Sequence, residues 1–169
     1  VITIIVIVAA LAVATVHLFV SRQPRTAGRA AELYLLYTLV VGVGVGGLFG
    51  AMGHLFAADK VAEQLGWATG SPFQTEVGLF DLAFGVLGVC CIWFRGQWWY
   101  AVTVGWTIFA VGAAGVHLHE MAGATDNGSL NAGSVLPDLI VPVLLVALLI
   151  ARHRLAGGAG EETQAHVGA

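Results

Sequence analysis

The sequence predicts an all-α integral membrane protein, a bundle of about five transmembrane helices. Mean hydropathy is +0.87. Hydrophobic residues make up 58% of the chain and charged residues 10%, whereas about a quarter of residues are charged in soluble globular proteins. Five apolar stretches each approach the 20 or so helical residues needed to bridge roughly 30 Å of hydrocarbon. At 169 residues the chain holds them in one domain, residues 1–155. Residues 156–169, rich in Gly, Ala and Glu without apolar periodicity, read as a mobile cytoplasmic tail.

The first span, 1–20, lacks a basic leading region and a polar approach to a cleavage site, so it reads as a retained helix rather than a signal peptide. Span two, 32–58, carries Gly42, Gly46 and Gly50 at intervals of four, a register that reaches His54 one turn later. Such a strip lies on one helix face and lets a neighbouring backbone approach closely. Span three, 74–94, repeats the device with Gly78, Asp81, Gly85 and Gly88, which turns Asp81 into a helix interface. In span four, 97–120, Gly112 and Gly115 align with His119, His117 lies about 160° away, and Glu120 falls between them. The fifth span, 136–151, opens with Pro137 and Asp138, and Pro142 should loosen its backbone. Trp67, Trp93, Trp98 and Trp99 fall at span ends as interfacial anchors, with Trp106 deeper in the bundle.

Basic residues favour the cytoplasmic flank of membrane helices. Arg22, Arg25 and Arg29 follow span one, Arg95 follows span three, and Arg152 and Arg154 follow span five, with Lys60 alone on the opposite side. The N-terminus is therefore expected outside and the C-terminus in the cytoplasm. Glu32 should pair with Arg29 or Arg25, and His17 and His153 should sit at the cytoplasmic interface. With that orientation, His54, Glu76, Asp81, His117, His119, Glu120 and Asp138 all converge on the outer half. The polar segment from Gly123 to Ser134, with Asp126, Asn127, Gly128 and Asn131, could cap them.

Ionisable groups cost roughly 2.5 to 3.5 kcal/mol each within hydrocarbon, so they are kept with a partner or for a task. The functional reading centres on His54, Glu76 and His117, with Asp81, His119, Glu120 and Asp138 nearby. These side chains suit a transition metal or a proton relay. His117 and Glu120, three residues apart, could share a ligand. His54 and His117 could hold a haem from both sides; without a CxxCH motif it would be a non-covalent b-type haem. The opposing reading is structural, with a His54–Glu76 hydrogen bond locking two helices and Asp138 capping span five. Adjacent Cys90 and Cys91 read as small apolar packing residues in a reducing compartment. No P-loop, Rossmann fingerprint or nucleophile elbow occurs, which argues against nucleotide chemistry. A net charge of −3 without a basic aromatic surface argues against nucleic acid.

The run Gly70-Ser71-Pro72-Phe73-Gln74-Thr75-Glu76-Val77-Gly78, then Asp81-Leu82-Ala83 and Gly85-Val86-Leu87-Gly88, resembles a family of small bacterial polytopic membrane proteins of unknown function. Gly47-Leu48-Phe49-Gly50, Gly53-His54, Trp67, Pro24-Arg25-Thr26 and Asn131-Ala132-Gly133 fit the same pattern, which covers nearly the whole chain. A more distant similarity is to the DoxX-like membrane proteins. The resemblance implies a multi-pass protein of the bacterial cytoplasmic membrane and supplies no reaction. It favours Glu76 and His117, and it implies that Asp81, a position where the family often has Asn, is not an obligatory metal ligand. The alternative function is a non-catalytic accessory or scaffold subunit, whose glycine strips pack in a homo-oligomer or a larger membrane complex.

Overall fold

A computed structural model describes residues 2–123 and 129–167, with side chains described for 3–123 and 132–155. The described residues form helices without a strand: α1 (Ile2–Val20), α2 (Ala27–Tyr37), a π-helical segment (Thr38–Val45), α3 (Gly46–Phe56), α4 (Ala58–Leu65), α5 (Phe73–Cys90), α6 (Gln97–Gly123) and α7 (Ser129–Val167). Five are long and apolar enough to cross a membrane, with α2, the π segment and α3 forming one crossing, Ala27–Phe56. Large apolar side chains such as Val8, Phe49, Ile108 and Val143 are exposed on the outside of the bundle, as a hydrocarbon solvent permits.

The helix of α7 runs on to Val167, through the residues set apart as a tail. At its other end α7 begins at Ser129, so Asn131 to Ser134 are helical rather than looped. Asp126, Asn127 and Gly128 lie outside the described residues.

Glycine packing sets the heart of the bundle, with a register the sequence alone misplaces. A Cβ on Gly88 would lie 2.5 Å from Gly44 N, and one on Gly47 would lie 2.8 Å from Asp81 O and 2.9 Å from Gly85 N. A Cβ on Gly85 would in turn meet Leu48 N at 2.8 Å. The crossing Ala27–Phe56 and α5 therefore touch backbone to backbone at Gly44, Gly47, Gly85 and Gly88, while Gly50 and Gly78 make room for side chains of the facing helix. The α5 strip is as expected. On the other helix, the π segment winds more residues into each turn than an α-helix, which breaks the interval of four. Gly42 consequently faces Ile7 of α1 and Val141 of α7, while Gly46 and Gly42 line a cavity described below.

The helices α6 and α7 form a second close pair, α2 also packs on α7, and α1 lies along α2 and the π segment. Thr15 Oγ1 and Tyr34 OH, 2.9 Å apart, tie α1 to α2. Thr26 caps α2 by accepting from Arg29 N at 3.2 Å, which stabilises a helix start.

The packed core occupies the half of the bundle nearest the arginines, around Leu35, Leu39, Trp99, Val102, Leu145 and Leu149. Trp99, expected as an interfacial anchor, is fully buried there. Its Nε1 donates to Cys91 O at 3.1 Å, and the guanidinium groups of Arg95 and Arg152 lie 5.4 and 5.1 Å from its ring centre. A tryptophan flanked by two cations satisfies its own donor and shields them from hydrocarbon. Arg29 pairs with Glu32 as expected, at 3.0 Å, and Glu32 also binds Arg95. Trp93 remains exposed at the helix end, and Cys91 is buried, in keeping with an apolar packing role.

Candidate functional site

Away from the arginine-lined end, the α3–α5 pair and the α6–α7 pair separate around a cavity of about 870 Å³. Its lining is mostly apolar and aromatic, with Trp67, Phe73, Trp106 and Phe109 among the walls. Ionisable side chains enter from four helices: His54 from α3, Asp81 from α5, His117 from α6 and Asp138 from α7. They form two pairs, His54 Nε2 to Asp81 Oδ2 at 4.0 Å and His117 Nε2 to Asp138 Oδ2 at 3.9 Å.

Each pair is placed by local structure. Gly78 leaves room for the His54 Cβ and the Leu55 side chain, which a Cβ there would overlap. Gly50 performs the same service for the Asp81 carboxylate. Gln74 is buried, and its Oε1 sits 2.6 Å from His54 Nδ1. An amide oxygen only accepts, so Nδ1–H donates to it and Nε2 is the nitrogen that faces Asp81. His54 Nε2 and Asp81 Oδ2 stand farther apart than a direct hydrogen bond, which leaves room for one polar atom between them.

The helix α4 has no counterpart in the expected spans. Ala62 and Leu65 are buried, whereas Asp59, Lys60, Glu63 and Gln64 are exposed, the pattern of an interfacial amphipathic helix. It packs against α3, α5 and α7, and Val61 and Leu65 reach the cavity. Gly66, with φ of 74°, ends it in a left-handed turn in which Gly66 N donates to Glu63 O and Trp67 N to Ala62 O. That reversal is a glycine C-terminal motif. It turns Trp67 onto the site, stacked on His117 with ring centres 6.1 Å apart and 13° between planes and edge-on to Phe73 at 5.6 Å. Gly70, also left-handed with φ of 74°, donates its N–H to Asp59 Oδ1 at 2.8 Å. The run from Gly70 to Gly78 thus forms the turn and first helical turns that present Gln74 to His54.

Of the sequence-predicted residues, His54, His117, Asp81 and Asp138 line the cavity. Glu76 does not: it is exposed, because it lies about 200° around the helix from Gln74. His119 is exposed and Glu120 half-buried, and neither lines the cavity. His119 sits about 160° from His117 around α6. The expected triplet of His54, Glu76 and His117 is therefore not assembled. Among the described residues, no three His, Cys, Asp or Glu side chains come together as a metal-binding group. Two site residues were missed, Gln74 and Trp67. Gln74 had a signal, since it stands four residues before Gly78 and extends the strip Gly78, Asp81, Gly85, Gly88. Trp67 had none, because its position depends on the reversal at Gly66.

No curated protein matches the chain, and no solved structure does so either. A family model matches residues 1–158, spanning the five membrane helices and every residue of the two His–Asp pairs, so the chain belongs to a family of unknown function, DUF6790.

Proposed function

We propose that this protein binds a membrane-soluble molecule with a ring-shaped polar head in its intramembrane cavity and exchanges protons with that head through the two His–Asp pairs. The observation that carries this reading is the convergence of both pairs on one apolar, aromatic-lined space of about 870 Å³. That volume falls in the usual range for small-molecule sites, where an apolar lining with a few convergent polar groups sets orientation. Separations of 4.0 and 3.9 Å exceed a hydrogen bond. A ligand oxygen seated off the line between imidazole and carboxylate can reach both at about 2.8 Å. Each pair is thus a two-point cradle for one polar atom.

Proton handling has more support than a metal or haem. Both imidazole Nε2 atoms face carboxylates, and Glu76, the third expected ligand, points away. The glycine strips of the Ala27–Phe56 crossing and of α5, which would serve a scaffold subunit, pack against each other within the chain. The arginines grouped around Glu32 and Trp99 support an orientation with that end in the cytoplasm and the cavity in the outer leaflet. In a bacterium the membrane would be the cytoplasmic one.

The test uses the purified full chain in phospholipid nanodiscs, titrated with 5-methylresorcinol, a redox-inert ring with two hydroxyls. Tryptophan fluorescence reports occupancy through Trp67 and Trp106, and a pH dye in weak buffer reports protons taken up or released. Saturable binding with coupled proton movement is expected. His54→Ala and His117→Ala should each weaken it about tenfold or more, since a hydrogen bond to a charged group contributes roughly 1.5 to 3 kcal/mol. Binding that is absent, or unchanged in both variants, would sink the proposal.

A further inference from the structure

A second, almost wholly apolar groove of about 550 Å³ runs between α1 and α7, lined by Ile4, Ile7, Val8 and Leu11 on one side and by Ile140, Val143, Leu144 and Ala147 among others on the opposite side. Thr3, Pro137 and Val141 line both the groove and the cavity, so the two spaces adjoin. Outward, Val8 is 60% and Val143 69% exposed, which puts the rim of the groove against lipid. Inward, Ile7 and Val141 are buried beside Gly42 of the π segment, where a Cβ would meet Ile7 at 2.9 Å and Val141 at 3.4 Å. A Cβ at position 42 would require the Ile7 side chain to shift at the junction.

We infer that the groove between α1 and α7 is the lateral passage for a single-tailed amphiphile, holding its hydrocarbon tail while the ring head occupies the His–Asp cavity. This rests on the binding function proposed above and adds the ligand class and its route. Continuity through Thr3, Pro137 and Val141 is the argument for the occupant: a head in the cavity needs somewhere to lead its tail, and the groove joins that cavity to the lipid without a polar side chain other than Thr3. Moving a tail from lipid into this groove gains little free energy, because lipid chains are as apolar as its walls. The groove therefore decides which molecules fit and how they enter, and contributes little to affinity.

The experiment compares 5-decylresorcinol, which carries a tail, with 5-methylresorcinol, which does not, in nanodiscs of the full chain by tryptophan fluorescence. Ala147→Trp plugs the α7 wall of the groove. Val8→Trp narrows it from the lipid-exposed side of α1, where the larger side chain can be accommodated without disturbing the core. Wild type should bind both compounds with similar intrinsic affinity once membrane partitioning is taken into account. The plugged variants should lose about tenfold or more for the decyl compound and keep their affinity for the methyl compound. If wild type binds neither compound, the ligand-binding function itself fails. If the methyl compound binds but both plugs leave decyl binding unchanged, the passage is overturned and the cavity reading stands. Should Ala147→Trp not fold, Val8→Trp decides the question alone.

Discussion

Replacing Gly88 with alanine tests the packing that positions the site. Its Cβ would lie 2.5 Å from Gly44 N, 2.7 Å from Gly44 Cα and 3.0 Å from Leu39 O. All three are backbone atoms, so no side chain can rotate away. Ordinary carbon contacts are about 3.5 to 4.0 Å, so α5 and the π segment must part by about 1 Å. Overpacking of this kind costs about 1 to 3 kcal/mol, and a rigid contact belongs at the upper end. The exchange also recovers about 0.5 to 1 kcal/mol from the better helix propensity of alanine. A net loss of about 2 kcal/mol follows, a fall of roughly 4 to 8 °C in melting midpoint for a chain of this length. Gly115→Ala is the control, because a Cβ there meets nothing within 4 Å; it should melt at or slightly above wild type. Thermal unfolding in one detergent, followed by near-ultraviolet circular dichroism, gives both midpoints. If Gly88→Ala melts within a degree or so of Gly115→Ala, the close seam between α5 and the π segment does not hold the bundle together.

Gln74→Leu removes the acceptor of His54 Nδ1–H and should cost about 1 to 3 kcal/mol; nitrogen NMR of labelled histidine should show loss of the fixed Nδ1–H tautomer, with Gln74→Glu restoring it. Trp99→Leu leaves part of a fully buried indole's volume empty and uncovers Arg95 and Arg152 from its ring, so a loss of about 3 kcal/mol is expected in the same melting assay. Glu32→Gln should cost about 1 kcal/mol or less, because its partners Arg29 and Arg95 remain partly exposed at 19% and 45%, and such pairs contribute little. Glu76→Gln should leave both melting and ring binding at wild-type values, since Glu76 points out of the bundle; a clear loss of binding would return it to the site.

The membrane spans were legible because a bilayer imposes a length and an apolar composition on any helix that crosses it. The faces of α5 were legible too, since an α-helix repeats every 3.6 residues and Gly78, Asp81, Gly85 and Gly88 keep step with it. The same arithmetic, applied strictly, would have set Gln74 inside and Glu76 outside. Glu76 attracted attention through its charge, although position on the helix decides access. Trp99 misled for a related reason: its place at a helix end suggested an interface, whereas Arg95 and Arg152 enclose it.

The sequence by itself determined that this chain crosses a membrane in five helices, that its arginines gather at one end and that His54, His117, Asp81 and Asp138 belong to the other. These follow from composition and alternation of spans, which need no knowledge of neighbours. Only the tertiary structure decided that the histidines pair with aspartates from other helices, that the π segment moves Gly44 rather than Gly42 onto α5, and that Gly66 turns Trp67 over His117. Pairing across helices depends on register and rotation between segments far apart in the chain, and a single extra residue in one turn resets both.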